Sequence, residues 1–335
     1  MDHSKFLTRC LQLANYGRGT TSPNPMVGAV VVHNGLIIGE GYHRKAGEPH
    51  AEVMAIRSVE NRDLLKQSTL YCSLEPCAHY GKTPPCCELI SSQSIPHVVI
   101  GTGDPHSKVD GKGVAHLRSH GIKVEFAPSP HKFQRLNEVF WTNMTKNRPQ
   151  FTLKWAENAS GYIDRTRTAE EKAMRISGPL AALRTHQLRG SVDGILISSK
   201  TAHFDLPSLT TRKWFGQSPT PIILLSQDFP LKREWLSSLE VQPIIIGNKI
   251  PHGYSGINCN PRNLEQWVPK LFDFGLNHIL VEGGTRILQS FIDGGLADSI
   301  HRYISSDRLE DGVSAPNAPI LTTTAELGND RYERS

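Results

Sequence analysis

The stretch from Glu48 to Glu88 sets the terms for the whole chain. It reads EPHAEVMAI, then a polar segment and a short apolar run, then TLYCSLEPCAHYGKTPPCCE. His50 and Glu52 stand two residues apart. Cys77 and Cys86 follow at a distance, each directly after a proline, Pro76 or Pro85. One imidazole and two thiolates form a metal-ligand set, and Glu52 is a carboxylate to spare beside it. Catalytic zinc commonly takes three protein ligands and keeps its fourth tetrahedral position for water.

Water held on such a metal ionises near neutral pH. A carboxylate two residues from the ligand histidine can relay the proton to a leaving group without binding the metal itself. That combination is the signature of zinc deaminases, with glutamate as general acid and base. The usual signature has two residues between the cysteines, whereas eight, AHYGKTPP, separate Cys77 from Cys86. The longer segment makes a loop beside the metal, and its Lys82 and Thr83 suit a substrate phosphate. A closed structural zinc site would need a fourth ligand, which Cys87 or His79 could supply. A Cys/His nucleophile pair would leave Glu52 and the two Pro-Cys pairs unexplained. Cys10, Cys72 and Cys259 read as small buried apolar residues.

At 335 residues the chain is long enough for two domains with sizeable cores. A hydrophobic fraction of 38% with 21% charged residues makes it globular rather than disordered. The formal net charge of +5 suits anionic small substrates as well as nucleic acid, so it does not choose between them. Six cysteines, two of them adjacent, do not make a disulfide framework. The opening MDHSKFLTRC lacks the apolar core of a signal peptide, and no apolar run approaches the ~18 residues of a membrane span. The expected compartment is reducing and cytoplasmic.

Phe6, Leu7, Cys10, Leu11, Leu13 and Ala14 recur at helical spacing, which predicts a helix over 2–17. Val27–Val32 and Leu36–Tyr42 flank His33-Asn34-Gly35, and Asn-Gly between two such runs is a strong hairpin signal. A helix is expected over His50–Ser58, a strand over Ser68–Leu74 and a second helix starting near Cys77, where the helix N-terminus would favour a thiolate. Strands at His97–Thr102 and Ile122–Phe126 bracket a helix that ends at Gly121. Strands alternating with helices indicate an α/β sandwich.

A connecting helix through Phe133, Leu136, Val139, Phe140 and Met144 leads to a domain boundary near Lys146-Asn147-Arg148-Pro149. That gives domains 1–146 and 147–335. Beyond it QFTLKWA, VDGILIS, PIILLS, VQPIIIG and NHILVEGG are strand candidates of a second, largely parallel open sheet. In VEGGTRILQSF, a buried strand ends in Glu282-Gly283-Gly284 and a helix follows at once, so free backbone N–H groups face any anion there. Tight βα turns need glycine anyway, and without GxGxxG a Rossmann domain is not supported.

Residues 1 to about 146 resemble the deaminase half of the bifunctional riboflavin-biosynthesis deaminase/reductases, the RibD type. PNPMVGAVVV, GYHRKAGEPHAE, SLEPCAHYGKTPPC and GDPHSKVDGKG match that family's motifs in order and spacing. The resemblance implies a cytidine-deaminase-like α/β/α sandwich with zinc on His50, Cys77 and Cys86 and with Glu52 as proton shuttle. It implies substrate contacts from Asn24 and His43 to the pyrimidine, from Lys82 and Thr83 to the ribose phosphate, and from Asp104. Where the family has Asp-Pro-Asn, this chain has His106.

Residues 150 to about 305 resemble the reductase half, a dihydrofolate-reductase-like α/β domain with NADPH as cofactor. Implied cofactor positions are Ala156, Thr201, Asp205 and the turn Gly284, Thr285, Arg286 and Ile287, continuing to Ser290. Implied substrate positions are Arg189, Leu209, Arg212 and Glu282. The chain departs from the pattern in four places: Ser160 replaces an aspartate, Arg175 a tryptophan and Leu206 an acid, and Ser198-Ser199-Lys200 replaces a glycine-containing approach to Thr201.

The implied function is hydrolytic deamination of a diaminopyrimidine ribosylamino phosphate, followed by NADPH-dependent reduction of ribosyl to ribityl. The expected partner is that small phosphorylated pyrimidine, with no nucleic acid or membrane involved, and the protein is expected to be a homo-oligomer. Three rivals remain at this point: a nucleoside or RNA deaminase, a zinc-stabilised binding module, and a deaminase whose reductase half is degenerate.

Overall fold

Asn34 and Gly35 both lie in the left-handed region, at φ 47° and 78°. These angles suit the tight turn that Asn-Gly favours, and the turn joins β1 (Gly28–His33) to β2 (Leu36–Tyr42). In the computed structural model, which describes residues 3–80, 84–106, 109–168 and 171–335, this hairpin opens the first of two compact units. That unit is Met1–Asn147, and the second is Arg148–Ser335.

In the first unit α1 (Ser4–Asn15) precedes the hairpin. After it come α2 (Ala51–Arg57), β3 (Thr69–Cys72), α3 (Cys86–Ser92), β4 (His97–Ile100), α4 (Lys112–Ser119), β5 (Lys123–Phe126), α5 (His131–Leu136) and α6 (Glu138–Lys146). Among the described residues the strands form one sheet in the order β2-β1-β3-β4-β5. β1 runs antiparallel to both neighbours, and β3, β4 and β5 are parallel. The apolar run of β1 is covered on both faces. Val30 and Val32 pack with Phe6, Leu7, Cys10 and Leu13 of α1. Ala29 and Val31 pack with Ala51, Ala55 and Ile56 of α2 and with Cys87 and Ile90 of α3. A strand buried on both sides reads as a continuous apolar stretch rather than an alternating one.

Two glycines set the distance between α2 and the sheet. A Cβ at Gly39 would lie 2.5 Å from the Ala55 carbonyl oxygen, and one at Gly41 would collide with the Met54 Cβ. Without side chains there, α2 lies directly on β2, which fixes the height of its first turn, where Glu52 sits.

Two expectations need correction. The helix expected to start near Cys77 starts at Cys86, because Pro84 and Pro85 precede it and proline suits a helix start rather than its interior. The single connecting helix is two, α5 and α6, meeting at Asn137. The Asn137 side chain accepts from the Met26 N–H at 2.8 Å and donates to the Met26 carbonyl at 2.9 Å. The Ser68–Leu74 strand is the shorter β3, and the 2–17 helix is α1.

The second unit runs β6 (Gln150–Asn158), β7 (Tyr162–Asp164), α7 (Pro179–Arg189), β8 (Gly194–Ser198), α8 (Ser199–Asp205), β9 (Thr220–Leu224), α9 (Arg233–Ser238), β10 (Ile244–Gly247) and β11 (Ser255–Asn258). It continues with α10 (Leu264–Trp267), β12 (His278–Glu282), α11 (Thr285–Asp293), β13 (Ser299–Ser305), β14 (Val313–Ser314), β15 (Thr323–Leu327) and β16 (Asp330–Arg334). The large sheet has the order β11-β10-β9-β8-β12-β6-β13-β16-β15. It is parallel from β11 to β13, and β16 and β15 add an antiparallel edge.

Leu196, Ile279 and Val281 pack on one face with Ile287, Leu288 and Phe291 of α11 and with Trp267. Ile195, Ile197 and Leu280 pack on the other with Ala202, Leu209 and Trp235. At the N-terminal end of the sheet, Asp298 pairs with both Arg148 nitrogens at 2.6 and 2.9 Å and accepts the Phe151 N–H at 3.0 Å. Among the described residues no helix is long and apolar enough to cross a membrane.

Gly41→Val should force α2 off the sheet. Overpacking of this kind costs about 1–3 kcal/mol, so the expected outcome is a lower denaturant midpoint together with reduced zinc content.

Candidate functional site

Three ligand atoms converge where the C-terminal end of β3 meets the start of α2. His50 precedes α2 in extended conformation (φ −70°, ψ 165°), and its Nδ1 lies 3.5 Å from the Cys77 Sγ and 3.4 Å from the Cys86 Sγ. All three atoms fall within 4.8 Å of one another. Ligands at about 2.0 Å (N) and 2.3 Å (S) on a tetrahedral ion stand roughly 3.5–3.8 Å apart, so the spacing fits zinc. The proton chemistry fits as well. Cys86 shares its proton with Cys77 and, with burial, has its own pKa raised, while Cys77 is lowered to about 4. The hydrogen bond with Cys77 in turn raises His50 to about 9. A thiolate held against a protonated thiol and a protonated imidazole is a set that a divalent cation satisfies by displacing the protons of Cys86 and His50.

The first amide of α3 also contributes. The Cys86 N–H donates to the Cys77 Sγ at 3.2 Å, so the helix N-terminus supports the Cys77 thiolate although Cys77 lies outside the helix. Glu52, in the first turn of α2, is only 3% exposed. Burial pushes its carboxyl up to about 7, with His50 opposing the rise. A carboxyl that titrates near neutrality can both take and give a proton.

The site opens into a cavity of about 210 Å³ lined by Asn24, His43, His50, Glu52, Glu75, Cys77, His79, Asp104, His106 and Phe140 among others. His43 is buried, and burial lowers its pKa, so the ring is neutral. Its Nδ1 lies 3.2 Å from the Pro49 carbonyl and its Nε2 3.1 Å from the Asn24 Nδ2. One tautomer, with the proton on Nδ1, satisfies both contacts, and it turns the Asn24 carboxamide so that its oxygen is the remaining acceptor. Asp104 is raised to about 6 by burial, and its Oδ1 accepts the His106 N–H at 2.8 Å. The His106 ring stacks on His79 with centroids 6.1 Å apart. Lys82 and Thr83 lie outside the described residues.

A second cavity, of about 370 Å³, belongs to the second unit. Its lining includes Lys154, Arg175, Ser177, His186, Arg189, Arg212, Lys213 and Glu282. Arg189 grips Glu282 through two hydrogen bonds, of 3.0 and 2.8 Å. Burial alone would raise the Glu282 carboxyl, but Arg189 and Lys154 outweigh it and hold it below the ordinary carboxylate range. Lys154 on β6 is the register partner of Glu282 on β12, and burial lowers its pKa. Five cations and one carboxylate that is already paired leave the cavity positive, as a phosphorylated ligand requires.

Of the predicted reductase positions, Arg189, Arg212 and Glu282 line this cavity. The Leu209 side chain instead belongs to the core, in left-handed backbone at φ 53°. Ala156 sits within β6. Thr201 lies in the first turn of α8, bonded to the capping Ser198, and its hydroxyl is 3.9 Å from the point where a Gly283 Cβ would stand. At Gly284, the N-cap of α11, an added Cβ would meet no atom within 4 Å. Two helix N-termini at the ends of the adjacent strands β8 and β12, with glycine and hydroxyl between them, fit a dinucleotide phosphate. Arg286 is exposed, Ile287 is buried, and the Thr285 hydroxyl donates to the Ser314 carbonyl. Asp205 is ion-paired with Arg167.

The four departures also have structural outcomes. The Asn158 Oδ1 accepts the N–H groups of Ser160 and Tyr162, which closes the turn at Ser160 without the family's aspartate. Arg175 stands at the cavity. The Lys200 ammonium lies over the rings of Phe204 and Phe229 at 5.6 and 5.7 Å. Leu206 ends α8 in left-handed conformation.

Sequence reasoning missed Lys154, Lys213, Glu75 and Asn137. Lys154 carried a usable signal, a lysine inside the apolar strand FTLKWA. Glu75 carried another, a carboxylate beside the buried strand and ahead of Pro76-Cys77.

Residues 1–102 match the family model described as the cytidine and deoxycytidylate deaminase zinc-binding region, and residues 149–307 match the RibD C-terminal domain. The riboflavin biosynthesis protein RibD of Aquifex aeolicus is 37% identical over 332 residues, 96% of this chain and 92% of that one. A Thermotoga maritima structure titled a diaminohydroxyphosphoribosylaminopyrimidine deaminase/5-amino-6-(5-phosphoribosylamino)uracil reductase superposes with a TM-score of 0.86 at 31% identity, covering 99% and 97% of the two chains. Acinetobacter baumannii RibD superposes with a TM-score of 0.86 at 28% identity, covering 98% and 97%.

The expected occupancy is one zinc per chain, read by metal analysis of the purified protein. Cys77→Ala and Cys86→Ala should each bring it close to zero, because two ligands do not hold zinc at the affinity of three.

Proposed function

The chain belongs to the RibD family and carries both its deaminase and its reductase domain, and from that premise we propose how its residues divide the work. The protein is a bifunctional deaminase/reductase of riboflavin biosynthesis. Its proposed substrate is the diaminohydroxyphosphoribosylaminopyrimidine, and the observation that carries the assignment is the buried Glu52 facing one cavity with the three-ligand cluster. Zinc held by His50, Cys77 and Cys86 supplies the Lewis acidity that makes water nucleophilic at neutral pH.

Glu52 takes the proton from the attacking water. Glu52 gives that proton to the ring nitrogen beside the attacked carbon. It then takes the remaining hydroxyl proton and passes it to the departing amine as the C–N bond breaks, so ammonia leaves and a carbonyl next to a ring N–H remains. Its pKa of about 7 supports both halves of the transfer. Asn24, oriented by neutral His43, holds the pyrimidine edge. Asp104 lies on the ribose side, and Lys82 and Thr83 are assigned to the phosphate.

In the second unit we assign NADPH to the turn at Gly284, Thr285, Arg286 and Ile287, together with Thr201, Ala156 and Asp205. NADPH supplies the hydride. Arg189, Arg212 and the backbone at Leu209 hold the phosphorylated product of the first reaction. Lys154, made a stronger acid by burial and held beside the ionised Glu282 on the adjacent strand, gives the proton needed as the ribosyl group opens and is reduced to ribityl. The paired Arg189–Glu282 geometry supports a working reductase despite the four departures. The proposed setting is the cytoplasm, which six free thiols support. There the protein acts on a free small molecule, without nucleic acid or membrane, as a homo-oligomer.

Glu52→Gln should keep its zinc yet lose deamination by about 10²–10⁴-fold, the usual worth of a general acid/base. Its NADPH oxidation with pre-deaminated substrate should stay at the wild-type rate. Lys154→Ala should do the reverse, leaving ammonia release intact and cutting NADPH oxidation by about 10²-fold or more. Ammonia and absorbance assays on the two variants check both outcomes. Deamination retained in Glu52→Gln would refute the proton-relay role.

A further inference from the structure

We propose that Glu75 is a positioning residue for deamination: its carboxylate fastens the segment that carries Asp104 to the segment that carries the metal ligand Cys77. The proposal rests on the assignment of Asp104 to the substrate side of the cavity. Glu75 is 4% exposed and stands two residues before Cys77. Its own N–H donates to the Thr102 carbonyl at 3.0 Å. Its Oε2 accepts the N–H of Gly111 at 3.2 Å and that of Asp104 at 3.5 Å, and its Oε1 accepts the Val114 N–H at 3.1 Å. One residue thus holds Thr102, Asp104, Gly111 and Val114 through their main-chain atoms.

A helix cap would need only the amides at the start of α4. The Asp104 amide is not among them, since α4 begins at Lys112. The carboxylate therefore does more than end a helix. It sets where Asp104 stands relative to Cys77, and Asp104 in turn binds the His106 N–H. The packing agrees. A Cβ at Gly113 would collide with the Pro76 carbonyl oxygen and lie 3.3 Å from the Glu75 Oε1, so α4 rests directly against the residue next to Cys77. A carboxylate can accept from all three amides. A glutamine has one acceptor oxygen, and its NH₂ would face amide donors, so Glu75→Gln should shift the Asp104 segment while His50, Cys77 and Cys86 keep their places.

The test uses the full-length, zinc-loaded chain and compares Glu75→Gln with Asp104→Asn. For Glu75→Gln we expect wild-type zinc content, a KM for the aminopyrimidine phosphate raised about tenfold, a kcat within about threefold, and unchanged NADPH oxidation. Wild-type kinetics, or a loss of kcat in proportion to lost zinc with KM unchanged, overturns the proposal. Asp104→Asn separates the two layers of the argument. If it leaves KM unchanged, the Asp104 assignment fails and this inference with it; if it raises KM while Glu75→Gln does not, only this inference fails. Should Glu75→Gln not accumulate as folded protein, Gly113→Ala carries the test, because it wedges α4 away from Pro76 while both Glu75 carboxylate oxygens stay acceptors. A KM-selective defect is expected there too, and a defect confined to kcat overturns the proposal.

Discussion

The first unit depends on one requirement: an imidazole from the start of α2, a thiolate from the loop after β3 and a thiolate from the first turn of α3 must meet within 4.8 Å. That requirement explains features that look unrelated. Gly39 and Gly41 let α2 lie flat on β2. Pro84 and Pro85 delay α3 until Cys86, so that its first amide can point at the Cys77 sulfur. The same convergence buries Glu52, and burial turns an ordinary carboxylate into a group that exchanges protons near neutral pH.

The second unit solves a different problem with similar parts. The adjacent parallel strands β8 and β12 lead into α8 and α11, which supply helix N-termini, glycine and hydroxyl, while Lys154 on β6 with Arg175, Arg189, Arg212 and Lys213 forms a cluster of cations. Arg189 and Glu282 hold each other at the rim of that cluster. Because Glu282 is already paired, the cavity keeps its positive character although a carboxylate lines it. A phosphorylated ligand therefore meets cations already held in place.

Much of this was legible in the sequence, for identifiable reasons. The β1–β2 hairpin followed from Asn34-Gly35, whose backbone angles few other pairs adopt at low cost. The ligand set followed from residue chemistry, since His50, Glu52, Cys77 and Cys86 have few joint uses. The helix expected near Cys77 begins only at Cys86, because Pro84 and Pro85 suit the start of a helix rather than its interior. The break at Asn137 was hidden because it depends on a partner, Met26, more than a hundred residues away. Glu75 was overlooked for the same reason: its partners, Asp104, Gly111 and Val114, are distant in sequence and are main-chain atoms that leave no compositional trace. The Lys154–Glu282 pairing required the strand order, which periodicity alone does not fix.

The central claim is that one chain performs two reactions in a fixed order, the first dependent on the His50, Cys77 and Cys86 cluster and the second independent of it. The most direct measurement follows ammonia and NADPH together in one reaction started with the diaminopyrimidine phosphate, with and without a zinc chelator. The account predicts that ammonia release precedes NADPH loss in equal amounts, that chelation stops both, and that adding pre-deaminated substrate restores NADPH loss alone. NADPH consumption from the diaminopyrimidine phosphate without ammonia, or ammonia release that survives complete removal of zinc, would contradict it.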